Sequence, residues 1–396
     1  TDGLYPYQWN WDSVFAAWGF ATFDLPRAWT ELETLMAAQW SDGMVPHIIF
    51  HKSDPGYFPG PDVWATRKTP PTSGISQPPV AAILTRLIWE QDKTSGHDHI
   101  KTLYPKLLKW HRWWHEMRCT YGPVAITHPW ESGRDNCPDW DIGMAGVDGS
   151  KAGEYTRRDT GHVDPSMRPS KAEYDRYIAM VQFGVKVGWD QAQIVADGPF
   201  LMADPGITFV LLRAHEDLAV LGRELGEDVT EIEDWALALR NALPLIWNPE
   251  LGAYDAKNLR NGQFEGVLGS GAFLAYLAGA SNPELDAQLM RVWDAVRYGI
   301  PSADPEAAIF DPRRYWRGPT WPVVNALMAI GLRDAGRHDL EARLRAETAE
   351  LIEKHGFFEY FDPTDATPCG GDNFTWTAAI WLTWAGRDLE QEKGAA

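Results

Sequence analysis

Apolar residues recur at a helical period along the whole chain, and no convincing stretch alternates strictly between apolar and polar positions. The spacing predicts helices over 12–23, 26–39, 77–93, 98–118, 171–188, 204–224, 230–247, 270–280, 283–298, 320–335, 338–354 and 373–387. They fall into two kinds. Those at 12–23, 77–93, 204–224, 270–280, 320–335 and 373–387 are apolar most of the way round or rich in small residues, as buried helices are. Those at 230–247, 283–298 and 338–354 carry a single apolar stripe. Leu285, Leu289, Val292, Trp293 and Val296 make one stripe, and Leu340, Leu344, Leu351 and Ile352 another. A buried helix followed by an amphipathic one, repeated about six times, is the pattern of an all-α (α/α)6 barrel with six inner and six outer helices. The segment 171–188 fits that alternation least well, and is either part of an insertion or the sixth outer helix.

Long polar stretches interrupt the pattern at 40–76, 119–169, 248–269, 299–319 and 355–372. Loops of that length in a compact domain usually carry function. Four of them lead into a helix of the buried kind, so they are expected to gather at one end of the barrel. No Ser/Gly-rich linker divides the chain. Residues 1–396 read as a single catalytic domain in which 40–76 and 119–169 build a cap over the site.

Composition narrows the partners. A 396-residue chain with 44% hydrophobic residues and a net charge of −19 has ample core but lacks the basic surface that nucleic acid or anionic membranes require. No apolar run approaches the ~20 residues of a membrane span. Cys119, Cys137 and Cys369 are too few and scattered for a disulfide framework, and no secretory signal is visible, so a reducing cytoplasm is the expectation. Assembly into a homo-oligomer stays open. Tryptophan is the outlier, with 21 residues against 15 Phe and 13 Tyr. At least half of them are expected to pack between helices. Trp9, Trp11, Trp130, Trp140, Trp316, Trp321 and Trp376, however, sit at element ends or beside Gly and Pro, where rigid amphipathic rings suit a sugar.

Two short polar stretches bring chemistry. Trp130-Glu131-Ser132-Gly133-Arg134-Asp135 lies between Pro129 and Pro138, and Asp135 there would be a general acid with Trp130 as a wall that raises its pKa. The plainer reading is a surface loop in which Arg134 pairs with a carboxylate; Glu131, Asp139 and Asp141 compete for the acid's role. Glu359, between Phe358 and Tyr360, would be the base that takes a proton from water. Residue types alone slightly favour a solvent-facing carboxylate there, and Asp362 is its nearest competitor. Tyr5 to Asp12 packs aromatics and amides before a buried helix that Asp12 is placed to cap. Arg314-Tyr315-Trp316-Arg317-Gly318-Pro319-Thr320-Trp321 repeats the theme. Arg168 to Tyr174 opens a helix with Ser170 as N-cap, and Arg168 and Lys171 beside free N–H groups would seat an anion; solvated surface charge is the commoner outcome. His111 and His115 have metal-pair spacing without the accompanying glutamate, so a pair on a helix surface is the better reading. No Walker lysine, nucleophile elbow or Cys-x-x-Cys is present.

Together these stretches resemble glycoside hydrolase family 63. Trp130 to Asp135 resembles its general-acid loop and, more distantly, the Glu-Ser-Gly-Trp-Asp loop of trehalases. Tyr5 to Asp12, Tyr315 to Pro319 with Trp321, Glu359 to Phe361 and Phe374 to Trp376 follow in the family's order. The short form, without an added β domain, is similar to the bacterial mannosylglycerate and glucosylglycerate hydrolases. The resemblance implies an (α/α)6 barrel and an inverting, exo-acting α-glycosidase with Asp135 as acid and Glu359 as base. Their carboxyls would stand roughly 6.5–9.5 Å apart to admit a water. Asp12, Trp9, Trp316 and Trp321 would line the sugar subsite; Trp130 and Gly318 belong to the same motifs. Tyr5, Gln77, Arg168 and Tyr174 would hold the glycerate of a 2-O-α-glucosyl- or mannosyl-glycerate. The partner is therefore a small glycoside with an anionic aglycone, with no metal or organic cofactor. A neutral-disaccharide α-glucosidase or trehalase-like enzyme is the first alternative, and a catalytically dead carbohydrate-binding barrel the second. The Pro/Gly-rich stretch 50–76 would cover the pocket, with Tyr57 or Phe58 closing on the substrate.

Overall fold

Helices without a polar face can only be buried on all sides, and six of them here surround one another in a ring. The inner members are Asn10–Phe20, Ala81–Trp89, Pro205–Glu224, Ser270–Phe273 with the 3-10 turn Leu274–Tyr276, Pro322–Asp334, and Thr375–Ile380 with the π turn Trp381–Ala385. Each packs on the next, and the last packs on the first, which closes the ring. The structure is a computed structural model and describes residues 4–387. Among those residues five outer helices follow their inner partners: Leu25–Ala37, Lys93–Arg118, Thr230–Ala242, Pro283–Asp294 and His338–His355. This is the (α/α)6 architecture that the apolar pattern predicts.

Several elements depart from the sequence-based expectation for local reasons. Lys171–Lys186 packs on the short helix Pro61–Trp64 within the 40–76 stretch, so it belongs with the insertions and not with the outer ring. The inner helix expected at 77–93 begins only at Ala81, after Pro78 and Pro79. The one expected at 270–280 keeps α geometry only to Phe273. Gln191–Asp197 is an additional helix resting on Lys93–Arg118. His111 is not on a helix surface. It is fully buried, its Nδ1 lies 2.9 Å from Nδ1 of His215, and burial pulls its pKa down to about 3. No cluster of His, Cys, Asp or Glu among the described residues is arranged to hold a metal. Nor is any helix among them long and apolar enough to cross a membrane.

The long stretches do meet at one end. Two-residue strands and single bridges stitch together the segments that precede consecutive inner helices. Gln8–Trp9 pairs with Ile48–Ile49, Met202–Ala203 with Lys257–Asn258, Gly269 with Ala303, and Thr320 with Phe361. The result is a collar at the N-terminal ends of the inner helices.

Close approach inside the ring depends on glycine at two positions. A Cβ on Gly19 would lie 2.7 Å from Cβ of Ala379, where the first and last inner helices meet. A Cβ on Gly331 would lie 2.3 Å from the backbone of Tyr276 in the neighbouring inner helix. Forcing a methyl into such a contact typically costs about 1–3 kcal/mol. Gly331→Ala should therefore lower the unfolding midpoint in urea by a loss of that size with an unchanged m-value; an unaltered midpoint would show that the ring is looser than described.

Candidate active site

The collar surrounds a cavity. Its walls come from the segments before five inner helices: Tyr5 to Asp12, His47 to Gln77, Trp130 to Tyr174, Tyr315, and Glu359 to Trp376. Asp135 and Glu359, 224 positions apart in sequence, both face it.

The Asp135 loop is held from behind. Pro129–Ser132 forms a 3-10 turn capped by His128, whose Nδ1 accepts from the Trp130 N–H at 3.0 Å while Nε2 donates to the Tyr177 carbonyl at 3.1 Å. That pattern needs a neutral imidazole, and burial keeps it neutral by pulling its pKa to about 3. Gly133 then turns the chain at φ +68° against the Trp11 ring, which a Cβ would meet at 2.7 Å. Two arginines locked in the interior tie this loop down. Arg118 pairs with Glu131 at 2.8 Å, and Arg134 pairs with Asp139 at 2.8 Å and Asp204 at 2.9 Å. Arg134 thus pairs with a carboxylate, as the plainer reading had it, but in the core and not at the surface. Glu131 and Asp139 are consumed by these pairs, and Asp141 by Arg317 at 2.7 Å; none of the three lines the cavity. Asp135 is left with its backbone carbonyl accepting from Tyr177 Oη at 2.6 Å and its carboxyl facing the cavity. Burial raises that carboxyl to about 7, Arg168 opposes the rise, and Glu359 adds to it.

Glu359 has the contrary environment. It lies just before the strand Tyr360–Phe361, yet it is fully buried, so it is not an edge carboxylate pointing to solvent. Tyr5 Oη donates to Oε1 at 2.9 Å; the Gly371 N–H at 3.1 Å and Arg168 Nη1 at 3.3 Å donate to Oε2. All three partners donate, which suits the ionised carboxylate. Its neighbour Gly370 sits at φ +73°, where a Cβ would come within 2.4 Å of Oε2. Asp362 is turned away to Arg313 at 2.9 Å.

Arg168 organises the floor. Besides Glu359, it donates to Tyr5 Oη at 2.7 Å and to Asp159 at 3.1 Å, and it stacks 4.0 Å from the Tyr315 ring centre. Of the other sequence-predicted residues, Trp9, Asp12, Gln77, Trp130 and Tyr174 line the cavity. Asp12 sits in the first helical turn and does not cap it; the N-cap is Trp9, without a side-chain bond. Burial raises its carboxyl, like that of Asp135, to about 7. Trp316, Gly318 and Trp321 do not line the cavity. Trp316 takes a left-handed backbone, φ +58°, which sends its ring into the core to stack on Trp321 at 3.7 Å with 3° between planes. Gly318 fills a tight turn whose N–H donates to Ser302. From that segment only Tyr315 reaches the cavity. Sequence reasoning missed Arg157, Arg158 and Asp159, which also line it. The Arg-Arg-Asp run in a loop after Tyr155 was the available signal.

Residues 5–377 match the family described as the mannosylglycerate hydrolase MGH1-like glycoside hydrolase domain. The chain belongs to this family. It is a glycoside hydrolase. A mannosylglycerate hydrolase of Thermus thermophilus is 43% identical, over 96% of this chain and 95% of the relative. A glucosylglycerate hydrolase of Mycolicibacterium hassiacum is 34% identical, over 97% and 92%. Among solved structures, the family-63 mannosylglycerate hydrolase of Thermus thermophilus in complex with Tris and D-glycerate superposes with a TM-score of 0.93 at 43% identity, covering 96% of this chain and 94% of that one.

The raised Asp135 carboxyl has a consequence for stability. Between its unfolded value of 3.8 and about 7 the folded chain binds the extra proton, so this group's contribution falls as pH rises through that window. Asp135→Asn should therefore be more stable than the parent at pH 8, by about 1–3 kcal/mol, and nearly equal to it at pH 4. Urea unfolding at the two pH values checks this; equal differences at both would show that Asp135 ionises freely.

Proposed function

We propose that this enzyme is an inverting, exo-acting α-glycosidase that cleaves 2-O-α-glucosyl- or mannosyl-glycerate to the hexose and glycerate. The observation that carries the reading is the contrast between two carboxyls in one cavity: Asp135 rests near half-protonation at neutral pH, while Glu359 is ringed by donors that favour its charge. Asp135 protonates the glycosidic oxygen as the C1–O bond breaks. Glu359 takes a proton from the water whose oxygen bonds C1 on the opposite face, so the released sugar has the inverted anomeric configuration. The proton on Glu359 then returns through solvent to Asp135, and the cycle closes. Asp12 and Trp9 hold the sugar, with Trp130 as a side wall; Tyr5, Gln77, Arg168 and Tyr174 face the aglycone. The named activities of the relatives and the glycerate bound in one of them support this substrate class. In this reading residues 1–396 act as one catalytic domain with 40–76 and 119–169 as its cap. The three free cysteines are compatible with a cytoplasmic setting.

A neutral α-glucoside is the competing substrate, and Arg168 does not separate the two cleanly. Its guanidinium contacts Glu359, so Arg168→Ala should impair neutral and anionic substrates alike. Product analysis does separate them. Glucosylglycerate, mannosylglycerate, trehalose and kojibiose, followed by NMR, should show turnover of a glycerate glycoside at least tenfold above the neutral sugars, with β-hexose released first. First release of the α-anomer would refute inversion. Asp135→Asn and Glu359→Gln should each lower kcat by roughly 10³-fold or more, and Asp12→Asn by less, about 10–100-fold. The alkaline limb of the parent's kcat profile should fall near pH 7 and disappear with Asp135→Asn. Parent-level turnover in either of the first two variants would end the assignment.

A further inference from the structure

Three guanidinium groups face the cavity, and each is already paired with a carboxylate. Arg158 meets Asp54 through contacts at 2.5 and 2.7 Å. Arg157 grips Asp159 in bidentate fashion at 2.5 and 3.0 Å, with its remaining branch donating to the Pro169 carbonyl. Arg168 is shared between Asp159 at 3.1 Å and Glu359 at 3.3 Å. Each of the three cations is thus paired before any substrate arrives. An anionic aglycone entering it finds no cation free of a carboxylate among the described residues that line it. Seated beside the existing pairs, its carboxylate would be repelled at short range in a partly dry site. One resident carboxylate has to give way.

The geometry singles out which one. Glu359 is fully buried, held by Tyr5 and a backbone N–H, and is needed as base. Asp54 serves Arg158 alone. Asp159 is the carboxylate that bridges two guanidiniums at once, and it opens a four-residue helix, Asp159–His162, inside a surface insertion. Its side chain keeps contact with solvent. Turning it away would leave a paired, planar fork facing the cavity, which is the geometry that binds a carboxylate.

Building on the glycerate reading, we propose that Asp159 is a resident stand-in for the substrate's carboxylate: it holds Arg157 and Arg168 in the empty site and yields that seat to an anionic aglycone. Selectivity then follows from exchange. A carboxylate-bearing substrate replaces the bonds it breaks, whereas a neutral aglycone that displaces Asp159 leaves Arg157 without an anion and Arg168 with Glu359 alone. Asp159 is a specificity-determining residue and takes no part in proton transfer.

The test is inhibition by free D-glycerate. Removing the internal competitor should tighten glycerate binding, so Asp159→Asn and Asp159→Ala should each lower its inhibition constant tenfold or more. Asp159→Glu, which retains the charge, should leave it at or above the parent value. Thermal melting verifies that each variant is folded, and the charge-retaining variant still decides the matter if a neutral one does not fold. Weaker glycerate inhibition in the neutral variants, or tighter inhibition in Asp159→Glu, would overturn the proposal and leave Asp159 as a mere clamp for Arg168. A parent enzyme indifferent to glycerate and inactive on glycerate glycosides would overturn the substrate assignment itself, and this proposal with it.

Discussion

The guanidinium of Arg168 beside Glu359 is the contact on which the site depends. It joins the floor of the cavity to the proposed base, fixes Tyr5 through its hydroxyl, and reaches Asp159 in the insertion. Charge in a low-dielectric interior is costly without a partner, and this guanidinium gives the buried carboxylate of Glu359 one. Asp135, in the same cavity, has no such guanidinium bonded to its carboxyl and is raised to about 7 by burial. One cation, placed nearer one carboxyl than the other, separates an acid from a base.

That separation requires rigid support. The loop that carries Asp135 is tied down by two arginines locked in the core, Arg118 with Glu131 and Arg134 with Asp139 and Asp204. Buried ion pairs contribute little net stability, but breaking one is expensive, so the loop has few alternative conformations. Glu359 is fixed by the collar: its N–H donates to the Gly371 carbonyl, and the adjoining Phe361 bridges to Thr320. Because the collar segments run directly into the inner helices, the barrel transmits its rigidity to both carboxyls.

The barrel was legible in the sequence because burial on all sides leaves a direct mark: the inner helix Pro322–Asp334 is apolar around its circumference, and His338–His355 carries one stripe. The helix expected over 270–280 stops short, at Phe273 with a 3-10 turn to Tyr276; small residues suit an inner position whether or not the helix continues. Within the site, motif order marked the segments that face the cavity, but not which side chains turn inward. Trp316 and Trp321 illustrate the limit. Aromatic character pointed to a sugar, whereas a left-handed φ at Trp316 decided for the core, and residue type alone does not encode that backbone choice. The rivals of Asp135 were indistinguishable from it in sequence for a related reason. Glu131 and Asp141 are removed from contention by Arg118 and Arg317, which lie outside the loop, and Asp139 by the way Arg134 folds into the core.

The insertion 119–169 carries the part of the site that sequence reasoning left out, and its charges show why an acidic protein can receive an acidic substrate. A chain of net charge −19 repels anions at long range, but screening confines that effect to roughly 8–10 Å from each exposed charge. Inside the cavity only local pairing matters, and there Arg157, Arg158 and Arg168 are matched by Asp54, Asp159 and Glu359. A substrate carboxylate that takes the seat of Asp159 would replace one negative charge near Asp135 with another, so the cavity receives an anion without losing the field that helps raise the acid's carboxyl.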